Sequence, residues 1–261
     1  MPRLAANITY LFTELPFLER FAAAADHGFK GVEILVPYEY SPEDVAARLA
    51  AHNLECVLIN TPYGETAGGH TGLGALPGRE AEFAADARQA LDYAQAVGCT
   101  RIHTLAGVPD DGADPARCRA VFVENLRGMA EQAAEAGITV LIEPLNTGDF
   151  PDYFLTRQDQ AHAIAADVGM ANVKVQMDFY HCQIMEGFLS DKMRRFIDGI
   201  GHFQISGVPG RIEPDVGELD HAYLLALVDE LGFDGWVGAE YKPVAGTAAG
   251  LDWAAAYGIS A

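Results

Sequence analysis

The chain alternates between two kinds of segment from end to end, and this alternation restricts its fold more than any other feature. Short β-rich runs stand at 4–9 (LAANIT), 31–36 (GVEILV), 54–60 (LECVLIN), 101–107 (RIHTLAG), 138–143 (ITVLIE), 173–178 (VKVQMD), 202–206 (HFQIS) and 236–240 (WVGAE). Amphipathic, alanine-rich stretches such as SPEDVAARLAAHN and REAEFAADARQALDYAQAVG lie between them. Eight strand–helix units in 261 residues predict an α/β chain folded as a single (β/α)8 (TIM) barrel, residues 1–261 forming one domain. A doubly wound open sheet would carry a glycine fingerprint after its first strand, and NITYLFTELPF has none.

Local signals agree with that layout. Ser41 reads as an N-cap, followed by Pro42 at the first helical position and by Glu43 and Asp44 in the first turn. Gly28, Gly98, Gly137, Gly169 and Gly232 each stand just before the next strand, as helix stops. Loop 61–78, TPYGETAGGHTGLGALPG, is the longest irregular stretch and reads as a lid or rim over a site.

Charge narrows the partners. A formal net charge of −20 repels phosphate backbones and anionic membranes, so no nucleic acid and no membrane is expected as a partner. An anionic substrate would need local cations to hold it against that field. The four cysteines show no C-x-x-C spacing and read as reduced thiols, with Cys182 a buried bystander beside His181. MPRLAANITY carries no signal-peptide core, and no apolar stretch approaches the ~20 residues of a membrane span, so a soluble cytoplasmic protein is expected. Oligomeric state is not legible, and a homo-oligomer stays open.

In this fold chemistry gathers at the C-terminal ends of the strands. Strand five ends in Glu143, strand six in Asp178 and strand eight in Glu240, and strand seven carries Gln204. A single acidic strand end is usually a charge paired with a local base. Three carboxylates on one rim repel one another, and a divalent cation resolves this. The oxygen-rich set suits Mg²⁺ or Mn²⁺ better than Zn²⁺. His181, Arg211, Glu213, Lys242, Asn60 and His103 fall on the same rim and are the candidates for holding a substrate, with Arg211 suited to a carboxylate. His103, taken singly, reads as a core histidine.

The segments IEPLN, MDFYHCQIMEG, GHFQIS with PGRIEP, and GWVGAEYKP resemble the hydroxypyruvate isomerase family of xylose-isomerase-like barrels, as do LVPYEY and LPGRE. The likeness runs over essentially the whole chain. It implies that Glu143 and Glu240 are the acid/base pair and that Glu143, Asp178, Gln204 and Glu240 surround a divalent metal. It also implies interconversion of hydroxypyruvate and tartronate semialdehyde through an ene-diolate. Departures fall at Thr66, Thr71, His103, Ser206–Gly207 and Asp215–Val216, which face the substrate in that family. They leave a longer 2-oxo acid such as 2-oxo-tetronate as the nearest alternative, with Thr66, Thr71 and Gly207 making room for the extra carbon. A ketose 3-epimerase, a phosphodiesterase and a non-catalytic binding barrel follow in that order.

Overall fold

The computed structural model describes residues 1–64, 69 and 71–260. Eight parallel strands close into a barrel in sequence order. They are β1 (Arg3–Asn7), β2 (Gly31–Ile34), β3 (Glu55–Asn60), β4 (Arg101–His103), β5 (Thr139–Ile142), β6 (Val173–Asp178), β7 (Ile200–Ile205) and β8 (Trp236–Ala239). The barrel closes where β8 pairs with β1, Gly238 against Ala5. The crossover helices are α1 (Arg20–Asp26), α2 (Pro42–His52), α3 (Glu80–Val97), α4 (Pro115–Glu135), α5 (Gln158–Val168), α7 (Leu189–Phe196) and α8 (His221–Glu230). One short extra helix, α6 (Phe179–Met185), leaves the end of β6 directly. After β8 the chain makes 3-10 turns at Ala248–Gly250 and Asp252–Tyr257 instead of an α-helix.

The helix ends follow from sequence. The Ser41 hydroxyl accepts the Asp44 amide at 3.1 Å, the N-cap bond its position predicts. Gly98 ends α3 at φ 70°, a left-handed conformation that glycine adopts without strain. Asn53 ends α2 in the same region, a stop that the glycine pattern does not announce.

The barrel interior is apolar at its floor and polar toward the C-terminal mouth. Ala5, Val57, Leu58, Leu141 and Trp236 form the floor cluster. Above it stand Asn7, Glu33, Gln176, His202 and Gln204, all 0–1% exposed. The strand pairing slips in two places, between Val32 and Glu33 and between Val175 and Gln176. Each bulge falls next to one of these buried polar residues, and bulges re-aim side chains. Residues 65–68 and 70 lie outside the described residues. The middle of the expected lid, with Thr66, is among them.

The floor tolerates no added atom at Gly31. A Cβ there would lie 2.6 Å from Val57 Cγ2 and 3.0 Å from the Trp236 ring. Gly31→Ala is expected to cost roughly 1–3 kcal/mol through overpacking, read as a lower urea midpoint at unchanged m-value. An unchanged midpoint would mean the floor yields without strain.

Candidate active site

Three carboxylates collect at the barrel mouth because the ends of β5, β6 and β8 supply them. Glu143 follows β5, Asp178 closes β6 and Glu240 follows β8, and each is 1–5% exposed. Asp178 is also the N-cap of α6, where its Oδ1 accepts the Tyr180 amide at 2.8 Å. That bond fixes the carboxylate and leaves Oδ2 facing the mouth. There Arg211 Nη2 lies 3.3 Å from Asp178 Oδ2 and also donates to Glu240 Oε1. The guanidinium lies over the rings of Tyr10 and Tyr180, at 5.4 and 5.3 Å.

Two side-chain amides connect Glu143 to Glu240. Gln204 Nε2 donates to Glu240 Oε2 at 2.6 Å, and Gln204 Oε1 accepts from Gln176 Nε2 at 2.7 Å. Gln176 Nε2 donates in turn to Glu143 Oε2 at 2.9 Å. Glu143 Oε1 is buried without a hydrogen-bond partner among the described residues. An acceptor left bare in this way is a place where a ligand or cation belongs.

Burial dominates the electrostatics. It pushes the Glu143 carboxyl well above the usual range, reinforced by the charges of Asp178 and Glu240. It pushes Glu240 up to about 8, against the opposing pull of Arg211. Asp178 is raised by the same cause and held back by Arg211. His181 is driven well below its ordinary value, by burial first and then by Arg211. His103 falls to about 3 by burial, with Nδ1 lying 3.4 Å from Glu143 Oε2.

His181 shows a definite tautomer. Its Nδ1 accepts the Asn146 backbone amide at 3.0 Å, so in the neutral ring the proton sits on Nε2. Nε2 lies 3.7 Å from Asp178 Oδ2, at the mouth. Glu143, Asp178 and His181 offer ligand atoms all within 4.8 Å of one another, a buried group that could hold a divalent cation. The two carboxylates fit that task as they stand. His181 fits better as a hydrogen-bond donor, because ligation through Nε2 would require a tautomer that sets two N–H groups face to face.

Glu143, Glu240, His181, His103, Gln176 and Arg211 line a cavity of about 290 Å³, together with Tyr10, Asn60, Tyr63, Thr71, Leu105 and Phe150. Arg211 is the sole lysine or arginine among the described lining residues.

Residues 21–257 match the family model described as a xylose isomerase-like TIM barrel. The chain is 54% identical to the 2-oxo-tetronate isomerase of Cupriavidus necator, over 98% of this chain and 99% of that one. It is 43% identical to the hydroxypyruvate isomerase of Escherichia coli, over 97% and 98%. A solved structure named AP endonuclease, family 2, from Brucella melitensis superposes with a TM-score of 0.96 at 45% identity, covering 98% of this chain and 99% of that one. The chain belongs to the hydroxypyruvate isomerase family. D-psicose 3-epimerase from Clostridium cellulolyticum shares the fold at a TM-score of 0.77 and 21% identity.

Against the family pattern, the structure brings Glu143, His181, Arg211, Asn60, His103 and Glu240 to one cavity, with Asp178 beside Glu143 and His181 at its edge. Gln204 lies beneath it, and its amide oxygen is engaged by Gln176, so a metal would have to displace that bond. Glu240 stands outside the group of three that could hold a cation and is taken up by Arg211. Two expected substrate ligands lie elsewhere. Lys242 is exposed, and what position 242 contributes is a backbone amide to the Arg211 carbonyl at 2.7 Å. Glu213 Oε1 accepts the Val244 amide at 2.9 Å and so ties down the segment after β8. Gly207 does not enlarge the cavity either, because a Cβ there would meet the backbone oxygens of Glu213 and Val216 at 2.5 Å. Glu33, His202 and Gln176 escape a strand-end reading because they sit inside the strands, and Asn7, which closes β1, escapes it because the first β-rich run reads on to position 9. The available signal was a polar residue repeated at period two beneath a strand end, as in Gln176 below Asp178.

Arg211 is the cation that makes two buried carboxylates tolerable. Arg211→Met is expected to lower stability by about 3 kcal/mol in urea titration, the usual result of removing one partner from a buried ion pair. A loss below the error of the titration would show that water or an ion replaces it.

Proposed function

We propose that the protein moves a carbonyl between carbon 2 and carbon 3 of a short 2-oxo acid, with hydroxypyruvate and 2-hydroxy-3-oxopropanoate as the substrate pair. The observation that carries this reading is the pair of buried carboxyl groups, Glu143 and Glu240, lining one small cavity that a guanidinium and an imidazole also line. One glutamate takes the proton from carbon 3, and the other returns a proton to carbon 2. The reverse reaction exchanges their roles. Burial raises both carboxyls, Glu240 to about 8, which favours holding a proton for transfer over standing permanently ionised. His181 Nε2–H would donate to the oxygen that gains charge as the ene-diolate forms, and its depressed pKa keeps the ring a neutral donor. Arg211 matches the substrate carboxylate. Once the substrate draws Arg211 away, Glu240 Oε1 loses its donor and becomes the better base.

Glu143 and Asp178 would hold a divalent cation, and the oxygen donors favour Mg²⁺ or Mn²⁺. Such an ion supplies positive charge against the two oxygens of the ene-diolate. Burying three carboxylates beside one guanidinium leaves an excess of negative charge that a dication offsets.

A second reading, 2-oxo-tetronate, is supported by the 54% identical Cupriavidus relative. The two substrates undergo the same proton transfer and differ by a hydroxymethyl group on carbon 3. The small side chain of Thr71 in the cavity wall favours the larger one.

The test is a panel of hydroxypyruvate, 2-oxo-tetronate and ketoses with Mn²⁺ or Mg²⁺, run in D₂O. Turnover of a 3-hydroxy-2-oxo acid is expected, with deuterium entering at carbon 2 of the product. Failure to turn over any such acid would refute the reading, and inversion of a ketose without carbonyl migration would replace it with epimerisation. Glu240→Gln is expected to lower kcat by roughly 10²–10⁴-fold while the protein stays folded. Dialysis against EDTA is expected to abolish turnover until Mn²⁺ or Mg²⁺ is restored, and full activity in metal-free protein would remove the cation.

A further inference from the structure

Beneath the cavity, a fourth buried carboxylate has no part in the chemistry above. Glu33 on β2 is fully buried inside the barrel. Its Oε1 lies 2.5 Å from His202 Nε2. Its Oε2 accepts two amides, Asn7 Nδ2 at 3.0 Å and Gln204 Nε2 at 2.9 Å. The same two nitrogens also donate to Glu240 Oε2, at 3.0 and 2.6 Å. Two amide groups thus stand between two carboxylates and give one hydrogen to each. The space for Glu33 exists because β8 carries Gly238 opposite it, where a Cβ would lie 1.9 Å from Glu33 Oε1.

A side-chain amide can be turned end for end at little cost unless its neighbours dictate which end faces where. A carboxylate only accepts, so Glu33 forces the NH₂ end of Gln204 toward itself and toward Glu240. The oxygen end then faces Gln176, which must answer with its own NH₂, and that group holds Glu143 Oε2. One buried acceptor therefore dictates the hydrogen-bond direction along the line from Glu240 through Gln204 and Gln176 to Glu143. Asn7 is held from its other end as well, since its Oδ1 accepts the Thr9 amide at 3.2 Å.

We propose that Glu33 is a positioning residue: through the amides of Gln204, Asn7 and Gln176 it sets the orientation of both carboxylates, Glu240 and Glu143, that flank the cavity. The proposal rests on the reading of those two glutamates as the acid/base pair. A role confined to holding His202 would require only one acceptor oxygen at this depth. The orienting role requires two-sided reach, an oxygen on His202 and the other on both amides.

Two substitutions and two readouts test it. Glu33→Asp keeps the charge and withdraws it by one methylene, and Glu33→Gln keeps the length and removes the charge. Either folded variant is expected to lower kcat by about 10²-fold, the scale of an ångström-level misplacement, with KM changed by less than about threefold. Combining the variant with Gln204→Met is expected to add little to the greater of the two single losses, because both act along one line. The second readout needs no turnover. The side-chain NH₂ signals of Gln204 and Asn7 in ¹⁵N spectra are expected to exchange slowly with water in the wild type and rapidly in the variant. If the wild type turns over no 2-oxo acid, the functional reading fails and the amide signals alone decide this one. A kcat near that of wild type in Glu33→Asp, losses that add fully in the double variant, or unchanged amide exchange would each overturn the proposal.

Discussion

Four carboxylates, Glu33, Glu143, Asp178 and Glu240, are buried within one end of a barrel, and the interior has to make that concentration of negative charge tolerable. Isolated burial of one such group costs several kcal/mol, so each must find donors. Most of the unusual features of the interior follow. Arg211 is drawn between Asp178 and Glu240. Asn7 and Gln204 divide their hydrogens between Glu33 and Glu240. Gly238 gives up its side chain so that Glu33 can lie over it. The loop after β7 turns through a left-handed Arg211, φ 55°, to deliver the guanidinium inward, and such a conformation in a non-glycine residue marks a place where the surroundings overrule local preference.

The fold was legible because both of its periodicities are strong. The eight β-rich runs match the eight strands, β6 at 173–178 to the residue, since each run is bounded by turn chemistry and each is buried on both faces. The site was legible to the extent that it lies at strand ends, which is why Glu143, Asp178 and Glu240 were found. Period-two reasoning fails one step later. β8 ends at Ala239, so nothing obliges position 242 to face the same way as 240, and the chain turns Tyr241 into the core while Lys242 stays outside. Glu213 lies away from the cavity lining for a similar reason: loop backbones need acceptors, and its carboxylate satisfies the Val244 amide. Glu33 was hidden by a prior. Glu33 lies in the middle of GVEILV, where a search of strand ends does not look, and closure of the barrel places it in the interior.

Position 181 shows where local geometry adds to a sequence pattern. A histidine three residues after a strand-end aspartate can be a ligand, a base or a donor, and spacing alone does not separate these. The Asn146 amide on Nδ1 does, because an acceptor at one ring nitrogen places the proton on the other. Asn146 is itself fixed, with its Oδ1 accepting the Asp149 amide at 2.8 Å. The donor role of His181 is thus written into the turn after β5, in the residues Leu145 to Asp149 that follow Glu143.

The charge of the whole molecule and the charge of the cavity work at different ranges. A net charge of −20 raises the potential against any approaching anion over a Debye length of about 8 Å at physiological salt. Long-range steering therefore works against any anionic substrate, the proposed 2-oxo acid included, and salt would assist its approach. Close to the barrel mouth the balance changes, because Arg211 is buried, already desolvated, and held by two carboxylates that both carry raised pKa values. An incoming carboxylate competes with groups that are themselves poorly stabilised as anions. On the proposed reading, exchange of Arg211 from Glu240 to the substrate would cost less than breaking an ordinary buried pair, and it would leave Glu240 with a freed oxygen for the proton transfer. In a protein of this charge, such local exchange is a more effective means of selecting an anion than any field its surface could project.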